Sequence, residues 1–155
     1  MNADKGNDEE DNGKTKSKVI YQNATKQFMI KEAPRVLTLH LKRFEQRGFT
    51  MVRMSQTVKF GSTLFLGPFV TRDVKISGSD EGHHTGGGDL VYDLYGVVVH
   101  SGTLNSGHYT AYVKVTLPNG QRRWFYVSDS NVAVATESSV FSCSGAYILF
   151  YERRT

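Results

Sequence analysis

His108 follows Gly107 and precedes Tyr109-Thr110-Ala111-Tyr112, in a stretch where the apolar run Val97 to Val99 enters a loop of glycines and small polar residues. A histidine at the mouth of a hairpin, where glycines let a partner approach the backbone, suits a proton-transfer group. It equally suits a hairpin histidine bonded to a neighbouring carbonyl, and the pattern alone leaves both open. Further along, Ser128-Asp129 ends the run Trp124-Phe125-Tyr126-Val127. If 109–117 and 123–127 form a hairpin around Pro118-Asn119-Gly120, their similar lengths set Ser128 and Asp129 beside His108. A polar side chain accepting the Nδ1–H of the imidazole would fix its tautomer and leave Nε2 free to take a proton. The chain thus offers a base and its orienter, with no evident nucleophile. Cys143, in Phe-Ser-Cys-Ser-Gly, is the one thiol. No neighbouring feature suggests an oxyanion hole or a helix N-terminus that would lower its pKa, which favours a buried or bystander thiol.

The other histidines are less suggestive. His40 lies inside the apolar run Val36, Leu37, Leu39, Leu41 and reads as a partly buried, hydrogen-bonded core residue. His83 and His84 are adjacent in a low-complexity loop at 77–89, with no supporting cysteine or carboxylate spacing, and read as a solvated loop tip. With one cysteine, neither an internal disulfide nor a cysteine-based metal site is available. No metal and no cofactor are expected.

A chain of 155 residues with 39% hydrophobic residues is long enough for one domain with a real core. The formal net charge is +4, but acids concentrate at Asp4, Asp8, Glu9, Glu10 and Asp11, so the body is more basic than the total suggests. There is no Lys/Arg–aromatic stripe and no nucleic-acid motif. A weakly cationic surface facing an acidic or polar protein fits as well, and nucleic-acid binding rests on charge alone. No apolar run reaches membrane-span length and no signal-peptide core opens the chain. The single cysteine agrees with a cytoplasmic or nuclear setting, without membrane or nucleic-acid partners.

Residues 1–18 are polar and charged and read as a disordered linker. The ordered part, 19–155, begins with a short strand or helical turn at 19–30. Length and β-branching make 36–41 a buried strand. Gly48 marks a turn, 51–59 a second strand, and 60–69 a hydrophobic but irregular loop. Residues 90–99 alternate as a strand leading into the His108 loop, 109–117 form its hairpin partner, and 123–127 the next strand. Residues 131–135 continue as a strand or turn, Thr136 caps a short helix at 136–140, and 146–151 form the last strand. Sequential, turn-linked strands predict a mainly antiparallel, strongly twisted sheet.

Several segments together resemble the ubiquitin-specific proteases. Ala33-Pro34-Arg35-Val36-Leu37-Thr38-Leu39-His40-Leu41-Lys42-Arg43-Phe44 is similar to their P-x-x-L-x-x-x-L-K-R-F segment. Tyr95-Gly96-Val97-Val98-Val99-His100-Ser101-Gly102 with Ser106-Gly107-His108-Tyr109-Thr110-Ala111-Tyr112 resembles their histidine box. Trp124 to Asp129 and Ala146 to Arg153 resemble its end. The likeness runs in order from about residue 20 to 153. Its wording is most like the subgroup of ubiquitin carboxyl-terminal hydrolases sixteen and forty-five.

The resemblance implies an α+β fold: the C-terminal, palm part of a papain-like cysteine protease domain, mainly antiparallel sheet. It implies thiol-dependent hydrolysis of peptide or isopeptide bonds after the terminal glycine of ubiquitin, with ubiquitin and ubiquitinated proteins as partners. His108 would be the general base, Ser128 would hold the third triad position in place of the usual Asp or Asn, and Asp129 would be an adjacent orienter supplying negative charge. His100, Gly102, Gly107 and Tyr109 would border the channel for the ubiquitin tail. The family's cysteine box has no counterpart here, nor do the zinc-ribbon CxxC pairs. The expectation is therefore part of a longer enzyme, inactive alone, against a non-catalytic ubiquitin-binding module that kept the fold.

Overall fold

The computed structural model describes residues 21–78, 90–103 and 106–154. The expected linker at 1–18 and the paired histidines His83 and His84 lie outside them.

A long apolar strand organises the sheet. Strand β7 (Val91–Gly102) is flanked by β8 (Gly107–Thr116) on one edge and β11 (Ala146–Arg153) on the other. Outwards from β8 come β9 (Arg122–Ser128) and β10 (Asn131–Ala135); outwards from β11 comes β2 (Val36–His40). A short β5 (Thr63–Phe65) pairs with the first residues of β7. Every pairing in this sheet is antiparallel. The α+β class with a mainly antiparallel sheet, expected from the strand spacing and the resemblance, is what is seen.

The alternation of β7 changes phase partway. Tyr92 and Leu94 are buried, then Gly96 and Val97. The pairing explains it: Phe150 lies opposite Gly96 while the next residue, Tyr151, lies opposite Leu94, so Tyr95 is the extra residue of a bulge. The core gathers Tyr92, Leu94 and Val97 with Leu149 and Tyr151 of β11, Trp124 of β9 and Val140. Val140 belongs to α1 (Glu137–Phe141), whose cap Thr136 accepts the Ser139 amide at 3.2 Å, as the sequence predicts.

Two smaller ladders complete the described residues. Strands β3 (Phe44–Arg47) and β4 (Thr50–Arg53) form a hairpin turned at Gly48, whose φ of +62° is the left-handed region that glycine enters without penalty. Strands β1 (Ile30–Ala33) and β6 (Val70–Ile76) pair in parallel. Arg153 fastens that pair to the main sheet by donating to the Ala33 and Ser77 carbonyls. Tyr92 and Tyr151 hydroxyls donate to the Pro34 and Gly61 carbonyls in the same way.

Some expectations need correcting. Residues 36–41 are not a buried strand: among the described residues β2 is an edge strand paired only with β11, with Val36, Thr38 and His40 exposed and Leu37 and Leu39 half-buried. His40 is thus a surface residue whose ring packs edge-on against Tyr147 at 4.7 Å. The strand expected over 51–59 stops at Arg53, and residues 54–59 pair with nothing regular. The stretch expected to be an irregular loop holds β5 and a single 3-10 turn, Gly67–Phe69, and β6 was not foreseen. Residues 21–29 carry no regular element.

Candidate functional site

His108 is the second residue of β8, paired with Ser101 one rung inside the end of the β7–β8 ladder, where Gly102 faces Gly107. Two-residue turns are tight enough to keep a strand end in register. Ser128 ends β9 and is joined to Asn131 of β10 by such a turn, Asp129-Ser130. Continuing the β8–β9 register past the Ala111–Val127 pair sets Ser128 opposite Thr110, so Ser128 and His108 share a face as diagonal neighbours. The contact forms: His108 Nε2 and Ser128 Oγ are 2.8 Å apart.

Two details differ from the sequence expectation. The ring nitrogen facing the hydroxyl is Nε2, not Nδ1, because only the far end of an imidazole spans a diagonal neighbour distance of about 7–8 Å between backbones. Nδ1 is the ring nitrogen that Ser128 does not engage. Asp129 makes no hydrogen bond or ion pair with His108 among the described residues; it takes the first turn position with φ +48°, in the left-handed region that Asp and Asn enter more readily than most residues. The sequence places Ser128 and Asp129 together, but the backbone gives the histidine only the first.

Behind His108 the site is aromatic. His100 of β7 is buried, its ring 4.6 Å from that of Tyr109 and 5.9 Å from that of Tyr147. Phe44 stands 5.7 Å from the same ring. His100 Nδ1 is buried without a hydrogen-bond partner among the described residues, while the backbone amide of His100 donates to the Gly145 carbonyl. Arg53 reaches across from β4, donating to the His100 carbonyl at 2.7 Å and the Gly102 carbonyl at 3.4 Å. Sequence reading assigned no role to Arg53 or Tyr147. Tyr147 stood in a quoted motif; Arg53 had no local signal, being 47 residues away from its acceptor.

The two glycines of this corner are there for the chain itself. A Cβ on Gly107 would meet the His100 imidazole at 2.2 Å and the Ser101 carbonyl at 2.7 Å. Gly102, with φ +106°, would drive one into the Ser106 carbonyl at 2.5 Å. The space expected to accommodate a partner's backbone is, at these two positions, filled by neighbouring segments of the same chain.

Cys143 follows α1, with its amide donating to the Val140 carbonyl. Burial pushes its thiol up, against the smaller downward pulls of the Ala146 amide and the Arg43 guanidinium. A protonated thiol is a poor nucleophile. Arg43 itself is buried and donates to the Ala146 carbonyl at 2.7 Å and to the Gln56 carbonyl, tying the start of β11 to the segment after β4. No group of three His, Cys, Asp or Glu side chains able to hold a metal occurs among the described residues. Among them no helix is long and apolar enough to cross a membrane.

Comparison with known proteins follows the same outline. Ubiquitin carboxyl-terminal hydrolase 16 of Rattus norvegicus is 38% identical over 162 residues, covering 92% of this chain and 19% of that protein. Ubiquitin carboxyl-terminal hydrolase 45 of Danio rerio is 41% identical over 155 residues, covering 88% of this chain and 18% of that protein. The chain spans less than a fifth of the length of either relative. The SAGA Ubp8/Sgf11/Sus1/Sgf73 DUB module bound to ubiquitin aldehyde contains a chain of similar fold, with a TM-score of 0.63 and 31% identity over 78% of this chain and 25% of that one. The subgroup resemblance read from the motifs is thus matched by whole-segment identity. The family model described as ubiquitin carboxyl-terminal hydrolase matches residues 7–151, and the chain belongs to that family.

Proposed function

We propose that this chain carries the general-base side of a thiol-dependent deubiquitinase site. The observation that supports it is the contact of His108 Nε2 with Ser128 Oγ at the glycine-rich corner of β7 and β8. An imidazole held through Nε2 presents Nδ1 to a thiol. In the proposed reaction Nδ1 takes the thiol proton, the thiolate attacks the carbonyl carbon of the terminal glycine of ubiquitin, and the amine leaves with the proton from the imidazolium. Water, deprotonated by the same nitrogen, then releases ubiquitin from the thioester.

The nucleophile comes from outside these 155 residues. Cys143 is the one cysteine, and burial raises its thiol, which sets it against this role. Ser128 orients the ring, Asp129 contributes charge nearby, and exposed Tyr109 borders the path of the ubiquitin tail, with buried His100 packed behind it and Gly102 and Gly107 shaping the corner from within. The same lone, raised thiol favours a second reading, in which the chain binds ubiquitin without cleaving it.

Two measurements decide between them. A ubiquitin vinyl-type suicide probe should leave the isolated chain unlabelled. The chain joined to the cysteine-bearing part of the Rattus norvegicus relative should cleave a fluorogenic ubiquitin amide, and His108→Ala should abolish the cleavage. A joined protein that binds ubiquitin but is equally inactive with His108 and with Ala would leave the binding-module reading.

A further inference from the structure

At the end of the sheet opposite His108, four arginines and two carboxylates surround a cleft of about 240 Å³: Arg35, Arg122, Arg153, Arg154, Asp93 and Glu152. Topology brings them together. Arg122 opens β9, Arg153 closes β11 and Arg154 follows it, Asp93 and Glu152 are paired residues of β7 and β11, and Arg35 precedes β2. From His108 to Thr116, the partner of Arg122, β8 runs eight residues, about 27 Å at ~3.4 Å each. The cleft is therefore separate from the candidate catalytic corner.

Its charges are unevenly matched. Arg154 grips both oxygens of Asp93, at 2.6 and 3.1 Å, and holds that carboxyl below its ordinary range. Arg35 and Glu152 are 3.9 Å apart on the surface, a weak pair. Arg153 spends its donors on the neutral carbonyls of Ala33 and Ser77. Arg122 is exposed and makes no hydrogen bond or salt bridge among the described residues. Counted against Asp93 and Glu152, the four arginines leave an excess of two positive charges, although Arg122 lies close enough to Asp93 for its charge to help hold that carboxyl low. The built-in Asp93 and Glu152 disfavour a compact dianion such as phosphate, whereas separated single charges can each take one carboxylate.

The chain contains such a group. Asp8, Glu9, Glu10 and Asp11 are consecutive, while residues 21–155 hold fifteen Lys and Arg against ten acids. Ala33, whose carbonyl Arg153 holds, ends β1, so the chain joins the fold beside the cleft. Eighteen residues lie between Asp11 and Ile30, and a fully extended chain reaches ~3.3–3.6 Å per residue, so the tether is ample. We propose that the cleft is a carboxylate-binding site whose occupant is the acidic stretch Asp8–Asp11 of this chain.

The test uses arginine Nε–H signals of Arg122 and Arg154 in the 155-residue chain. Replacing the stretch by Asp8→Asn, Glu9→Gln, Glu10→Gln and Asp11→Asn should shift both signals. Raising salt from 0.05 to 0.5 M should move the unmodified chain towards the same positions. A synthetic peptide of residues 2–13 added to the neutralised chain should restore them. Its dissociation constant should rise at least fivefold with Arg122→Glu, on an exposed residue whose loss leaves the fold intact, and should not change with Arg72→Glu. Identical signals in the two chains at low salt would overturn the proposal. So would inorganic phosphate restoring the signals as fully as the peptide at equal concentration.

Discussion

His108 and Ser128 are diagonal neighbours on one face of the β8–β9 ladder, with Nε2 and Oγ 2.8 Å apart, while Asp129 is turned out of the strand by its positive φ. The relationship reverses the order of importance suggested by charge alone, in which the carboxylate matters more than the hydroxyl. In a complete catalytic domain Ser128→Ala should lower turnover by about two- to thirteenfold, the value of one hydrogen bond of ~0.5–1.5 kcal/mol. Asp129→Ala should cost less. Nitrogen chemical shifts of the His108 ring in the isolated chain give an independent reading. Its tautomer balance should move with Ser128→Ala and stay put with Asp129→Ala, and movement only with the latter would return the orienting role to the carboxylate.

Gly107→Ala should destabilise the chain by ~1–3 kcal/mol, the usual range for forcing atoms into an occupied site. The added methyl has nowhere to go, since the His100 imidazole and the Ser101 carbonyl already stand within 2.7 Å of its position. Gly120→Ala is a useful contrast, because nothing lies within 4 Å there and only its φ of +80° resists substitution. Urea denaturation of both variants measures the difference. Equal losses would show that the corner yields to the methyl and that crowding by His100 costs no more at position 107 than the positive φ costs at position 120.

Three tyrosines should make the fold sensitive to alkali. Burial pushes the phenols of Tyr92, Tyr112 and Tyr151 above the ordinary value; at Tyr92 the nearby Arg153 works against that push, and at Tyr112 Cys143 and Tyr126 add to it. A folded-state pKa above the unfolded value of about 10 stabilises the fold fully below that pH. The contribution is lost as pH rises through the folded values. Unfolding free energy measured between pH 9 and 12 should therefore fall, and absorbance titration should show phenols ionising late and together with unfolding. Phenols that all titrate near 10 in the folded chain would contradict the burial.

Cys143 should alkylate slowly. Its raised thiol and partial burial leave little thiolate near neutral pH. Iodoacetamide at pH 8 should modify the native chain several-fold more slowly than the urea-unfolded chain, and modification should leave the His108 ring signals unchanged. A native rate above the unfolded one would mark the residue as activated.

How much of this was legible beforehand depends on how local each cause is. The hairpin from β8 to β9 was readable because Pro118-Asn119-Gly120 sits between two alternating runs, and Thr136 announced α1 by its residue type alone. Ser128 and Asp129 were placed beside His108 by counting strand lengths. The count could not say which ring nitrogen would be used, since that depends on the diagonal offset. His40 was misread because Val36, Leu37, Leu39 and Leu41 look like a buried run; an edge position is decided by what pairs alongside, and among the described residues only β11 does. Strand β6 was missed because Thr71, Arg72, Asp73 and Lys75 interrupt its apolar residues and only Val70 and Val74 are buried. Arg53 and Arg43 reach carbonyls far along the chain, the latter 103 residues away at Ala146, and no window of sequence contains both ends.

The pairing of β2 with β11 also dictates an order of assembly. Residues 36–40 leave the ribosome about a hundred residues before residues 148–152, which make their one ladder partner among the described residues. Strand β11 likewise supplies one edge of β7. During synthesis the β8–β9–β10 meander can zip as soon as each turn emerges, while β2 must wait for the last strand, paying the closure of a loop of more than a hundred residues at the end. Loss of the residues from Ala146 onward would strand both β2 and the open side of β7, turning a deletion at one end of the chain into an exposed edge near the other.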